Sequence, residues 1–120
     1  MYAGKITESK GIYALAATLP YIEKKHENVE IHIVGKSTKE ERDKLMMEAN
    51  YSEGLMIYNA ENQKLMADHL RESDIFVLPS YFEALGLIAV EALACHKLVV
   101  ASDISGLKKL LGCELINTGI

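Results

Sequence analysis

The sequence predicts an α/β fold in which helices cover both faces of a doubly wound parallel sheet of about six strands. Two observations support this prediction. Short apolar runs rich in β-branched residues alternate with segments in which apolar residues recur at helical spacing, and this alternation repeats about six times. With 49% hydrophobic residues, the 120-residue chain can bury a core of its own. Ligands are therefore expected outside the carboxyl ends of the strands, near the switch in strand order.

The predicted strands are short and mostly apolar, and they cover Met1–Ile6, Val29–Gly35, Leu55–Tyr58, Ile75–Leu78, Leu98–Ala101 and Glu114–Ile116. The predicted helices fill the intervening segments and begin near Ile12, Thr38, Asn62, Leu85 and Leu107. Ser37 or Thr38 can cap the second helix, because short hydroxyl side chains accept hydrogen bonds from first-turn N–H groups. Lysines follow the first helix at its end, where cations suit the helix dipole.

The segment after the fourth strand organises the rest of the chain. Ile75–Leu78 is stopped by Pro79 and is typical of a buried strand. After a short irregular stretch, Leu85–Cys95 is almost wholly apolar and rich in Ala and Leu, which predicts a buried helix. The N-terminus of such a helix favours anions, because its first N–H groups have no intrahelical partner and the dipole adds positive charge.

Two carboxylates mark this segment, Glu83 ahead of the helix and Glu91 within it. An ionised carboxylate left unpaired on a buried apolar helix is destabilising, so Glu91 is expected to need a partner. The residue pattern leaves two interpretations open. Either Glu91 forms a structural pair and Glu83 a cap, or both face a polyhydroxylated ligand whose phosphates lie on the helix N-terminus.

The stretch PSYFEALGLIAVEALAC has seven residues between Glu83 and Glu91. It resembles the signature of group 1, GT-B type retaining glycosyltransferases, whose usual form is close to PS-x-x-E-G-F-G-L-x-x-x-E-A-M-A-C-G. The pairs Gly4-Lys5 and Lys10-Gly11 are similar to the phosphate loop of that family, and Val99–Asp103 continues the match. The resemblance implies that residues 1–120 form a Rossmann-like nucleotide-sugar (donor) binding domain, a fragment lacking the acceptor domain and the C-terminal helices.

The resemblance also implies a role for individual residues. Lys5 and Lys10 would hold the diphosphate of the donor, and Lys5 replaces the usual Arg, which keeps the charge but loses the bidentate fork. Glu83 would be the catalytic-site carboxylate that hydrogen-bonds the sugar hydroxyls, and Glu91 would bind the ribose hydroxyls. The backbone N–H groups expected to complete the phosphate cradle are those of Leu85, Gly86 and Leu87.

Composition and motifs limit the kinds of molecule that the protein is expected to bind. The net charge of −4 argues against nucleic acid, and no apolar run approaches the roughly 20 residues of a membrane span. Two cysteines without metal-like spacing and the lack of a signal peptide predict a cytoplasmic protein, peripheral to a membrane only through another domain. The sequence has no Asp-x-Asp pair, so no metal or other cofactor is expected. The partners are then a nucleotide-sugar donor and, through the other domain, an acceptor sugar or lipid.

Other functions remain open at this stage. A stand-alone, non-catalytic module that binds a nucleotide or nucleotide-sugar fits the same residues, and so does half of a GT-B-shaped epimerase or phosphorylase. Gly35-Lys36-Ser37 resembles the end of a P-loop, but Glu30 occupies the position of the first glycine. For the glycosyltransferase interpretation, the 120-residue chain alone is expected to transfer no sugar, because orientation and exclusion of water need the other domain.

Overall fold

The computed structural model describes residues 1–59, 62–81 and 87–102. The strands in these ranges are β1 (Tyr2–Ala3), β2 (Ile31–Val34), β3 (Leu55–Tyr58), β4 (Ile75–Leu78) and β5 (Leu98–Ala101). The helices are α1 (Ile12–Glu23), α2 (Lys39–Glu48), α3 (Gln63–Glu72) and α4 (Leu87–Ala94), with a short 3₁₀ turn over Glu8–Lys10 before α1.

The predicted α/β alternation is confirmed over these residues, with all recorded strand pairs parallel. The predicted helix over Leu107–Leu111 and the sixth strand, Glu114–Ile116, lie outside the described residues. The first strand is shorter than the predicted Met1–Ile6. It ends at Ala3 because Gly4 turns the chain with a φ of 145°, a backbone conformation that residues other than glycine rarely adopt.

The five strands lie in the order β3-β2-β1-β4-β5. Ladders join β1 to β2, β2 to β3, and β4 to β5. The junction between β1 and β4 is made by Met1, whose amino group donates to the Ile75 carbonyl at 2.7 Å and whose carbonyl accepts from the Val77 N–H at 2.8 Å. Strands β2 and β3 thus follow on one side of β1, and β4 and β5 follow on the other side. This reversal of strand order defines a doubly wound sheet.

The reversal of strand order distributes the helices over the sheet. Helix α1 packs against α2, so these two share a face. Because crossovers between parallel strands are right-handed, the change of direction at β4 places α3 and α4 on the opposite face. The core between the layers contains fully buried side chains from every layer, among them Leu19, Ile33, Leu45, Leu70 and Phe76.

Helix α4 differs from the prediction of a buried helix. Ala89 and Ala92 are fully buried against the sheet, whereas Val90 and Leu93 are 41% and 46% exposed. Its high content of apolar residues had indicated burial all round, but among the described residues only one face is covered. None of the helices in the described ranges combines the length and the apolar character needed to cross a bilayer.

The start of α2 confirms Thr38 as the N-cap. The Thr38 hydroxyl accepts from the Glu41 N–H at 3.2 Å, and the Glu41 carboxylate accepts from the Thr38 N–H at 2.8 Å. This reciprocal capping box satisfies two N–H groups that the helix itself leaves without partners. It also fixes the direction in which the chain leaves β2 and enters α2.

Replacing Thr38 with Ala is expected to lower the free energy of unfolding by about 1 kcal/mol, because the first turn of α2 loses its side-chain acceptor. Thr38→Ser keeps the hydroxyl and should stay close to the wild type. Urea denaturation of the three proteins measures the difference. Equal midpoints for the Ala and Ser variants would show that the cap contributes nothing to stability.

Candidate functional site

The loop between β1 and α1, residues 4–11, crosses the carboxyl end of β4. The Tyr81 N–H donates to the Ser9 carbonyl at 2.8 Å. A Cβ atom on Gly11 would lie 2.0 Å from the Pro79 carbonyl oxygen, so only glycine allows this approach. Two segments that are some 70 positions apart, Lys10-Gly11 and Pro79-Ser80, therefore meet at the predicted switch in strand order.

The turn at the start of this loop is held against the end of β2. The Gly4 N–H donates to the Val34 carbonyl at 3.0 Å, and a Cβ atom on Gly35 would lie 2.1 Å from the Gly4 carbonyl oxygen. Beneath the turn, the Tyr2 hydroxyl donates to the Lys5 carbonyl at 2.6 Å. The backbone on which Lys5 stands is thus fixed on both sides, while the Lys5 side chain is exposed.

A cavity of about 390 Å³ opens at the carboxyl ends of β1 and β2. It is lined by Gly4, Lys5, Ile6, Thr7, Val34, Gly35, Lys36, Glu41 and Met66. The lining carries two exposed ammonium groups and one carboxylate, and the carboxylate of Glu41 already accepts the N–H of Thr38. This balance favours an anionic ligand with some apolar surface.

A second cavity, of about 490 Å³, lies on the other side of the loop. It is lined by Glu8, Ser9, Gly11, Tyr13, Ala14, Lys44, Glu48 and Tyr81. The Lys44 ammonium lies 4.2 Å from the centre of the Tyr13 ring and 3.9 Å from Glu8. Burial, with smaller contributions from the charges of Glu41 and Glu8, raises the pKa of the Tyr13 hydroxyl, which therefore stays neutral at physiological pH. The lysine here is engaged locally, so this cavity is the weaker candidate for an anion.

A cavity of about 520 Å³ lies at the opposite, amino edge of the sheet. It contains His26, His32 and His69 with acidic neighbours, but no group in the described residues has the arrangement of a metal site. We locate the candidate site at the carboxyl edge, because open parallel sheets bind ligands there.

The structure describes some of the predicted site residues and not others. Lys5 and Lys10 belong to the same β1–α1 loop, and Leu87 is the first residue of α4. Glu91 follows Leu87 by about one helical turn, and its side chain is exposed. The roles predicted for these residues remain predictions. Those predicted for Glu83, Leu85 and Gly86 also remain so, because these residues lie outside the described ranges.

The expectation that Glu91 needs a partner is wrong over the described residues. It assumed that the helix is buried all round, whereas Glu91 lies on the uncovered face of α4. An exposed carboxylate keeps its hydration, so the cost of an unpaired buried charge does not arise. The side chain is therefore available to a ligand or to solvent.

Three polar side chains near this edge were not among the predicted site residues. Ser80 and Ser102 are 0% and 6% exposed at the carboxyl ends of β4 and β5, and the Ser102 N–H donates to the Leu78 carbonyl at 3.0 Å. The two serines could have been predicted as site residues from their position just after apolar strands. Tyr2 carried no such signal, because an aromatic residue in a strand usually indicates core.

The chain matches a known protein family over nearly its whole length. The sequence profile of the family described as "Glycosyl transferases group 1" matches residues 1–117. Glycogen synthase of Mycobacterium tuberculosis is 32% identical over 111 residues, which cover 89% of this chain and 26% of that enzyme. The chain therefore spans about a quarter of the length of this curated relative.

Solved structures show the same fold. Sucrose-phosphate synthase of Thermosynechococcus elongatus matches with a TM-score of 0.77 and 29% identity, over 90% of this chain and 28% of that chain. A structure described as "Trehalose-6-phosphate from E. coli bound with UDP-2-fluoro glucose" matches with a TM-score of 0.74 and 19% identity, over 97% and 32% of the two chains. The α/β Rossmann-like architecture is thus shared, and at 19% identity the latter likeness concerns the fold alone.

Replacing Gly11 with Ala is expected to destabilise the protein by at least about 1–3 kcal/mol, the range for strain at a left-handed position, with a further cost from the contact with Pro79. Gly11→Asn separates the two causes, because Asn tolerates a positive φ but also carries a Cβ atom. Both variants should unfold at lower urea concentration than the wild type. A wild-type midpoint for Gly11→Asn would show that the approach to Pro79 does not require glycine.

Proposed function

The chain belongs to the group 1 glycosyltransferase family, and from this premise we propose that residues 1–120 form the part of a retaining glycosyltransferase that binds the nucleotide-sugar donor. One observation carries the proposal. The loop that bears Lys5 and Lys10 is held across the end of β4 by the bond between Tyr81 and Ser9. The lysines are thereby placed at the carboxyl edge, where the segment leading to α4 also begins.

The chemistry at this edge suits a diphosphate. A nucleoside diphosphate carries charge on its phosphates and an apolar base. The cavity beside β1 offers the ammonium groups of Lys5 and Lys36 together with apolar side chains, whereas Lys10 does not line it. In the proposed complex Lys5 and Lys10 contact the diphosphate, and the N–H groups of Leu85, Gly86 and Leu87 complete its cradle. Lysines and helix N-terminus then stabilise the leaving-group charge without a metal, in keeping with the lack of an Asp-x-Asp pair in the sequence.

In this proposal each of the two carboxylates binds a different sugar of the donor. Glu91 stands on the open face of α4, where its oxygens can accept from ribose hydroxyls without any cost of burial. Glu83 is assigned to the hydroxyls of the transferred sugar. Membership of the group 1 glycosyltransferase family supports a donor of this chemical class.

Transfer itself belongs to the whole protein in this proposal. The acceptor, a sugar or a lipid, would be bound by another domain, and the reaction needs that domain to orient the substrates and exclude water. The proposal includes the cytoplasmic location predicted from the sequence, and the free thiol of Cys95 is compatible with a reducing compartment.

Replacing Lys10 with Ala is expected to weaken the binding of UDP or GDP by about 1.5–3 kcal/mol, the range for hydrogen bonds to charged groups, and to leave the binding of uridine or guanosine almost unchanged. Isothermal titration calorimetry measures both. Lys25→Ala is a matched control, because it removes the same charge from an exposed position after α1 at the opposite edge. Equal losses for the nucleoside and the nucleoside diphosphate would reject the role of Lys10.

Replacing Glu91 with Gln is expected to weaken the binding of UDP by about 1 kcal/mol and that of 2′-deoxy-UDP by less, because the deoxyribonucleotide has no 2′-hydroxyl contact to lose. The melting temperature should not change, since the side chain is exposed. Glu72→Gln, at an exposed position on α3, controls for the loss of one negative charge. A large fall in melting temperature with an unchanged preference for ribose would mean that Glu91 is structural.

A further inference from the structure

Tyr2 lies on the central strand of the sheet, and its ring is buried while its hydroxyl makes a hydrogen bond to a loop. Its side chain is 1% exposed on β1, yet its hydroxyl donates to the carbonyl of Lys5 at 2.6 Å. The bond closes a turn of four residues, from Tyr2 to Lys5, that contains Gly4. The ring therefore reaches from the core to the backbone of the first residue predicted to contact the diphosphate.

The turn above the ring is tightly restrained. A Cβ atom on Gly4 would lie 3.0 Å from the Tyr2 hydroxyl oxygen and 3.4 Å from the ring carbon that bears it. The Gly4 N–H is bonded to the Val34 carbonyl, and the Gly4 carbonyl lies against the Cα of Gly35. Two backbone contacts, with Val34 and Gly35, fix Gly4, and the Tyr2 hydroxyl fixes the peptide that follows Lys5.

We propose that Tyr2 is a positioning residue for anion binding, whose hydroxyl holds the Lys5 carbonyl so that the Lys5 ammonium faces the cavity at the carboxyl edge. This inference rests on the proposed function, since it assigns a donor diphosphate to that cavity. The physical reason is entropic. A flexible lysine on a mobile turn loses more conformational freedom on binding than one whose backbone is already fixed.

The hydroxyl can be removed without removing the ring. Tyr2→Phe keeps the buried aromatic volume and deletes the donor to Lys5. Tyr58→Phe is the matched control, because its hydroxyl contacts the Met56 sulfur at 3.2 Å on β3 and has no bond to the β1–α1 loop. Far-UV circular dichroism of the 120-residue chain checks that both variants retain the fold.

Calorimetry with UDP and with uridine tests the role. Tyr2→Phe is expected to raise the Kd for UDP about fivefold, the scale of one hydrogen bond, with uridine unchanged and with Tyr58→Phe like the wild type. In a Lys5→Ala background the same change should have no further effect on UDP, because the group that Tyr2 positions is gone. A residue that only stabilises the fold would weaken UDP equally in both backgrounds, and that result overturns the proposal.

Amide hydrogen exchange without ligand gives an independent readout. Exchange at Lys5, Ile6 and Thr7 should be faster in Tyr2→Phe than in the wild type, and unchanged in Tyr58→Phe. If the wild type binds UDP and Tyr2→Phe binds it equally well, the proposed function stands and the role of Tyr2 falls. If the wild type binds neither UDP nor GDP, the proposed function falls as well, whatever the exchange at the turn.

Discussion

The architecture depends on the parallel pairing of Met1 with β4. Strand β1 has only two residues, yet it lies at the centre of the sheet, with β2 on one side and β4 on the other. The two bonds of Met1 to Ile75 and Val77 join the half of the sheet built by β1 to β3 to the half built by β4 and β5. Because strand order reverses at this junction, the loops after β1 and β4 leave the sheet side by side. A cleft for a ligand at the carboxyl edge follows from this geometry.

Close contacts between backbone segments hold the loops around this cleft in place. Gly11 lies against the Pro79 carbonyl, and Gly35 lies against the Gly4 carbonyl, at distances that leave no room for a side chain. The β1–α1 loop is therefore held at both ends before any ligand arrives. Lysines on such a loop can act as preorganised charges, which lowers the conformational cost of binding an anion.

The open face of α4 changes how the second carboxylate is understood. On a helix buried all round, Glu91 would have demanded a structural partner, and its role in binding and its role in stability would have been hard to separate. On the exposed face the two roles separate, because an exposed charge contributes little to stability. Val90 and Leu93 on the same helix are also exposed, so α4 presents a mixed apolar and acidic surface.

Within the described residues, the sequence alone determined the type and order of the helices and strands, because the spacing of apolar residues is a local property that survives without tertiary contacts. It also limited the cap of α2 to Ser37 or Thr38 and predicted that Lys5 and Lys10 frame the first loop, while the roles of all the predicted site residues stay predictions. Only the tertiary structure decided that Ser9 bonds Tyr81, that the Tyr2 phenol holds the Lys5 carbonyl, and that Glu91 is exposed. The bond between Ser9 and Tyr81 joins residues far apart in the chain, and the exposure of Glu91 depends on which helix face the sheet covers. The Tyr2 bond is local, but it requires the turn at Gly4, which packing against β2 imposes.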